Sequence, residues 1–161
     1  LGDDWMRNTS DAICQSVTMI AVCGPAYYGS DFCGREWAGM ESVAVRRLGD
    51  DTPSIMPLVW QAARAKAAPG LFQEEVVPPQ VARRQHLDLS RLRLRRENVH
   101  ESDEFDDLVR VIVSRIDLNS SLLHAHGSKA LDCSQFELPS TSAFAQFSQA
   151  AVQSPFSSGT P

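Results

Sequence analysis

The side chains best placed for chemistry cluster in one stretch, SVTMIAVCGPAYYGSDFCGREW, from Ser16 to Trp37. Glu36 lies in the second turn of a helix expected to start at Asp31, and Phe32 lies four residues earlier on the same side. A carboxylate there can stabilise positive charge, and a ring beside it can stack on a flat substrate. Ser30 is a good N-cap, and the amides from Ser30 to Cys33 are placed to receive a phosphate, although Asp31 opposes one electrostatically. The plainer account makes Glu36 a solvated acid, or one matched to the dipole near the helix start. Cys33 is the obvious thiol, but no histidine is near it in sequence, so it reads as a packed helix residue. His86 and His100 are the histidines that folding could bring to it.

The elements that must hold these residues are legible on either side. Val17 to Cys23 is an apolar run interrupted only by Thr18, the pattern of a strand buried on both faces of a parallel sheet. Gly24-Pro25 ends it. Strand, loop and helix N-terminus is the corner at which open α/β sheets bind ligands.

Upstream, Gly2 to Gln15 suits a helix, with Asp3 and Asp4 at its positive end and Trp5, Thr9, Ala12, Ile13 and Ser16 along one side. Downstream, the Asp31 helix continues to about Arg47, with Cys33, Trp37, Met40 and Ala44 at packing spacing. Arg46 and Arg47 suit its negative end. SIMPLVW, Ser54 to Trp60, is a second strand, which Pro57 should place at a sheet edge or a bulge. Residues 61–84 lose periodicity around Pro69, Gly70, Pro78 and Pro79 and predict a long loop, with a helical turn near Ala62 to Ala67. A third short strand fits His86 to Leu94, and a helix from Glu101 to Leu118 carries Phe105, Leu108, Val109, Ile112 and Ile116 in one stripe. The order predicts an α/β layer fold with parallel strands.

Composition sets the bounds. One domain fits in 161 residues, and a net charge of −5 argues against a protein that coats nucleic acid. The arginines between Arg83 and Arg96 alternate with leucines, which suits a solvated strand face beside the acids at 101–107. No run approaches the roughly 18 apolar residues of a membrane span, and LGDDW does not resemble a signal peptide. With no CxxC pair among Cys14, Cys23, Cys33 and Cys133, no metal site is expected and reduced thiols in a cytoplasmic protein are. Between Ser120 and Pro161 only Lys129, Asp132 and Glu137 are charged and serine dominates, so 119–161 is expected to be a disordered tail or linker. The start at Leu1 without Met reads as a fragment of a longer protein.

Residues 16–37 resemble the third strand and following helix of the Toll/interleukin-1 receptor (TIR) domain. There an apolar strand enters a Ser-Pro-x-Tyr-like turn followed by S-x-W-C-x-x-E; here the residues are Gly24-Pro25-Ala26-Tyr27, then Ser30, Phe32, Cys33 and Glu36. Helix 2–15 looks like the preceding TIR helix, SIMPLVW like the fourth strand with its Ile-x-Pro, and Phe105 to Ile116 like the last helix. GREW and PLVW look closer to bacterial TIR-like proteins, including the actinobacterial type encoded beside FxS-peptide maturation systems. Gly24 replaces the usual serine and Phe32 the usual tryptophan.

The resemblance spans about residues 1–118 and implies a flavodoxin-like parallel sheet of order 2-1-3-4-5, with the first two strands and first helix missing. Strand 17–23 would then be a bare hydrophobic edge. It also implies a signalling or defence protein that cleaves NAD⁺ to nicotinamide and an ADP-ribose product. Glu36 would be catalytic, and Ser30, Phe32 and Cys33 would bind substrate. NAD⁺ is then a substrate rather than a cofactor. The alternative that the family equally implies is a non-catalytic interaction module that assembles with itself or with other TIR-like domains, without nucleic acid or membrane.

Overall fold

Backbone hydrogen bonding and side-chain alternation along the chain build a parallel sheet between helical layers. The computed structural model describes residues 2–49, 53–64, 75–90, 92, 103–125 and 131–146. In chain order the elements are α1 (Gly2–Gln15), β1 (Met19–Cys23), α2 (Pro25–Gly29), α3 (Asp31–Leu48), β2 (Ile55–Val59), β3 (Ala63–Arg64), β4 (Glu75–Val76), α4 (Pro79–Ala82), β5 (Leu87–Asp88) and α5 (Asp103–Ala125), followed by a 3₁₀ turn at Cys133–Gln135. The order β1-β2-β5 is parallel throughout, with Met19 opposite Ile55 and Leu58 opposite Leu87. The fold is α/β, a three-stranded parallel sheet flanked by helices. β3 and β4 form a separate antiparallel ribbon.

Alternation assigns the faces. Ala21, Cys23, Ile55 and Val59 turn to one side, where Ile13 of α1, Trp37, Met40 and Val43 of α3 and Val81 of α4 close the main core. Met56 and Leu58 turn to the other, where Leu108 and Ile112 of α5 pack with Leu89 and Leu92. α5 is fixed over the sheet by Asn119, wholly buried, whose Nδ2 donates to Thr18 Oγ1 at 2.8 Å and to the Pro53 carbonyl at 3.0 Å.

β1 is not buried on both faces. It is an edge strand, and Ile20 and Val22, on the α5 side, are 41% and 56% exposed. Pro57 meets the opposite correction, because it sits in the central strand without a bulge. Its parity explains why this is tolerated. The Ser54 carbonyl and the Trp60 amide both bond to β1, so the backbone of even residues faces β1 and that of Pro57 faces β5. The β5 ladder begins only opposite Leu58, so proline's missing N–H interrupts no strand pairing.

The loop expected over 61–84 contains the β3–β4 ribbon and α4, whose Val81 is fully buried. The helical turn expected at 62–67 begins as strand at Ala63, and residues 65–67 lie outside the described residues. The third strand shrinks to Leu87–Asp88, ended where Asp88 Oδ1 accepts the Ser90 N–H at 2.8 Å. Arg46 and Arg47 lie in the last turn of α3 as expected, and Arg47 also serves a second helix end. It donates through Nη1 to the Ser16 carbonyl at 2.9 Å and through Nη2 to the Cys14 carbonyl, neutralising the negative end of α1.

The disordered tail expected from 119 is corrected across 119–125 and 131–146. α5 runs on to Ala125, and residues 131–146 pack against α3. Phe144 is fully buried, edge-on to Tyr28 at 5.6 Å and to Trp37 at 5.3 Å between ring centroids. The Ala143 N–H donates to the Gly34 carbonyl at 3.0 Å, and Arg35 Nε donates to the Pro139 carbonyl at 2.7 Å. The segment is anchored at Leu138, Ser142 and Phe144, which are buried, while the residues between them are half-buried or exposed. Residues 147–161 lie outside the described residues. Cys14 and Cys133 form a disulfide, with Cα atoms 5.7 Å apart, which corrects the expectation of reduced thiols for that pair; Cys23 and Cys33 are free.

Candidate functional site

Glu36 reaches its position because α1 and α3 pack side by side on the same face of the sheet. Ser30 starts α3: its Oγ accepts the Cys33 N–H at 3.2 Å, and its carbonyl accepts the Gly34 N–H. One turn later Glu36 lines a cavity of about 530 Å³ walled by Asn8 and Thr9 of α1, Thr18 and Ile20 along β1, and Tyr27. Met19 N–H and the Cys23 carbonyl bond to the β2 side, so the backbone of Thr18 and Ile20 points to the free edge of β1. Among the described residues no strand pairs with that edge, and the cavity runs along it.

Burial raises the Glu36 carboxyl above its ordinary value. Burial also raises the Tyr27 phenol, with smaller contributions from the neighbouring Cys23, Cys33 and Glu36. Both groups thus favour their neutral forms more than they would in water. A carboxylate held in such a cavity can exchange a proton nearer neutrality, or stabilise a cation that forms beside it.

The other expected residues divide. Phe32 does not line this cavity; its ring stacks on Trp5 of α1 at 4.2 Å between centroids and 29° between planes. The exposed face of that stack belongs to Trp5, which is 54% exposed. Ser30 is committed to the helix cap, so the Cys33 amide is already satisfied and the phosphate cradle expected there is partly filled. Cys33 is half-buried and lies outside the cavity lining. Cys23 is buried, donates to the Ala21 carbonyl at 3.3 Å, and has its thiol pushed up to about 12 mainly by burial, which makes it inert as a nucleophile. His86 Nδ1 lies 3.2 Å from the Arg84 carbonyl, and His100 lies outside the described residues. Among the described residues no group of His, Cys, Asp and Glu could hold a metal ion, and no helix is long and apolar enough to cross a membrane.

Tyr27, Asn8 and Thr9 were not singled out as site residues in the sequence. Tyr27 was visible only as part of the turn after β1. Asn8 and Thr9 join the site through α1–α3 packing, for which the sequence carries no local signal. Comparison with protein-family models, with curated proteins and with solved structures found no match for this chain.

Proposed function

We propose that this chain carries the carboxylate part of an NAD⁺-cleaving, TIR-like site, in a protein of bacterial signalling or defence. The observation that carries the reading is Glu36 lining a cavity along the free edge of β1. The order β1-β2-β5 supports it, because these would be strands 3, 4 and 5 of a flavodoxin-like 2-1-3-4-5 sheet. Strand 1 would then pair at the edge that the cavity follows.

In the reaction, the bond between ribose C1′ and the nicotinamide nitrogen breaks and nicotinamide leaves with the electron pair. Glu36 stabilises the oxocarbenium ion that develops at C1′. Water then adds at C1′ and releases one proton. Nicotinamide departs neutral from a cationic ring, so no general acid is required, and NAD⁺ is consumed as substrate. Tyr27, which lines the same cavity as Glu36, orients the substrate. Phe32 is stacked on Trp5 and, like Trp5, lies outside the cavity lining, so the role the sequence assigned to Phe32 has no ring in this cavity other than Tyr27.

A second reading is favoured by a separate observation, the exposure of Ile20 and Val22 on an edge strand. In it the chain is an assembly module that pairs with another copy or another TIR-like domain through β1, without chemistry. Either reading is of a cytoplasmic protein, where the reducing environment would open the Cys14–Cys133 bond.

The deciding experiment measures nicotinamide release from NAD⁺ by wild type and Glu36→Ala, alongside the assembly state of both. Turnover by wild type that Glu36→Ala abolishes is expected. Absence of turnover in the assembled protein refutes the enzyme, and turnover retained in Glu36→Ala refutes the residue. For the second reading, Val22→Lys should abolish self-association on sizing.

A further inference from the structure

The segment 131–146 is tied to the rest of the chain in two different ways. From Leu138 onward the ties are non-covalent. Arg35 Nε donates to the Pro139 carbonyl at 2.7 Å, the Ala143 N–H to the Gly34 carbonyl at 3.0 Å, and Gln80 Nε2 to the Ala143 carbonyl at 2.9 Å. Leu138 and Phe144 are buried among them. Residues 131–137 have no such bonds. Among the described residues every hydrogen bond they make is internal, as from the Ser134 N–H to Asp132 Oδ1 at 3.0 Å and from the Phe136 N–H to the Cys133 carbonyl at 3.1 Å. Their share in the main core is two half-buried side chains, Leu131 and Phe136. The remaining tie is the Cys14–Cys133 disulfide, which joins this stretch to α1 across 119 residues of sequence.

That division makes the disulfide a latch rather than one tie among many. Each ordered residue costs backbone entropy, and two half-buried side chains without a hydrogen bond to the body offset that cost for only a few residues. The covalent bond holds the rest in place by fixing Cys133 near the end of α1. Its two ends differ in access. Cys14 is 1% exposed and Cys133 is half-buried, so an incoming thiolate reaches Cys133 first.

We propose that Cys14–Cys133 is a redox-operated latch: oxidised, it clasps residues 131–137 onto α1, and reduced, it releases them while 138–146 stay docked on α3. The reductant is a dithiol. Its thiolate attacks Cys133 Sγ, the S–S bond breaks, and the electron pair leaves on Cys14 Sγ, which takes up a proton. The reductant's second thiolate then attacks the mixed disulfide, Cys133 departs and is protonated, and the reductant ends as its own disulfide. Release opens one wall of a cavity of about 440 Å³, which Ser134, Phe136 and Glu137 line together with Ser10 and Asp11 of α1. Ser10, 7% exposed in the latched form, is uncovered with it. A bond placed between the body and a weakly held segment converts thiol poise into a change of surface, the use that disulfides have where thiols are otherwise kept reduced.

The test is hydrogen exchange read by mass spectrometry on the oxidised chain and on the chain reduced with dithiothreitol, with far-UV circular dichroism on both. After reduction the amides of Ser134 and Phe136 are expected to exchange about tenfold faster or more, while Ala143 and the interior of α3 change less than about twofold and the helical signal is kept. Reoxidation should restore the slow rates. Cys14→Ala/Cys133→Ala is the second variant: it should exchange as the reduced wild type does, with or without dithiothreitol, which separates the bond from any other effect of the reagent. The proposal is overturned if reduction leaves 131–137 exchanging at the oxidised rate, because Leu131 and Phe136 then hold the segment unaided. It is equally overturned if reduction or the double substitution speeds α3 as much as 131–137 or removes the helical signal, because the bond is then a staple for the whole fold.

Discussion

Replacing Gly34 by alanine sets two effects of opposite sign against each other, and the docking of residues 131–146 decides which wins. In a helix interior, Gly→Ala alone stabilises by about 0.8–1 kcal/mol. At Gly34, however, an added Cβ would lie 1.8 Å from Ser142 Oγ, 2.8 Å from Ser142 Cβ and 3.2 Å from the Ala143 nitrogen. Rotating the Ser142 hydroxyl relieves the first contact; the others require the 142–144 backbone to retreat. That movement lengthens the bond from Ala143 N–H to the Gly34 carbonyl and the 2.9 Å bond from Gln80 Nε2 to the Ala143 carbonyl. Each is worth about 1 kcal/mol. It also disturbs the Phe144 packing, so overpacking adds about 1–3 kcal/mol. The net expectation is a loss of about 2 kcal/mol, or a fall of roughly 4–8 °C in Tm for a chain of this size. Urea and thermal unfolding of the single variant and of Gly34→Ala/Ser142→Gly measure it, the second substitution relieving the contact and restoring much of the loss. A rise in Tm for Gly34→Ala would mean that helix propensity acts unopposed, and that 131–146 does not lie on α3.

The disulfide and the buried carboxylate each set a further outcome. The disulfide joins residues 119 apart in sequence, so loop-closure entropy assigns it at most about 5 kcal/mol; Cys14→Ser, or reduction of wild type, should lower Tm markedly, and an unchanged Tm on reduction would remove the bond from the native structure. Glu36 has its pKa raised by burial, so the folded protein holds that proton more tightly than the unfolded chain. The stability linked to this proton is full below the unfolded pKa and is lost as pH rises through the folded one. Glu36→Gln should therefore match wild type below about pH 4 and be the more stable protein at neutrality, as read from urea midpoints across pH. Equal midpoints at every pH would mean that the carboxylate is not desolvated.

Helices with a strong local signature were legible. α1 falls on the expected Gly2 to Gln15, and α3 starts after the expected Ser30 cap, because caps, acids and three-to-four spacing are encoded within a turn or two. Burial of β1 was not, since an apolar pentapeptide looks the same with one face covered or two. Whether α5 extends over Ile20 and Val22 depends on the long-range bond of Asn119 to Thr18, which no local pattern announces. Pro57 shows the same limit. The sequence says that an N–H is missing, and only the register says that the missing donor faces the part of β2 that β5 does not reach. The segment 131–146 reads as disorder in the sequence because low charge and many serines describe a free tail and a packed strap equally well; Gly34 and Gly39, which leave room for Ser142 and Leu138, are the signal that distinguishes them. Glu36 is legible as a chemical candidate from its helix position, whereas Tyr27, in the same cavity, reads in the sequence only as turn.

The edge of β1 connects the cavity to the proposed function. Natural edge strands are protected by lysine, proline, a bulge or a covering element. Met-Ile-Ala-Val-Cys contains no charged residue and no proline, pairs with β2 without a bulge, and leaves Ile20 and Val22 largely exposed. The even-numbered backbone groups that face the free edge are the ones beside the Glu36 cavity, so whatever pairs with β1 also closes that cavity. Under the proposed function, pairing and chemistry at Glu36 would be one event rather than two. Enclosure would desolvate the carboxylate further and strengthen its interaction with a forming cation. On this reasoning Val22→Lys, far from the reacting atoms and on the opposite face of the sheet from Glu36, should reduce nicotinamide release in parallel with self-association. Loss of assembly with full turnover would separate the two and leave the edge without a role in the site.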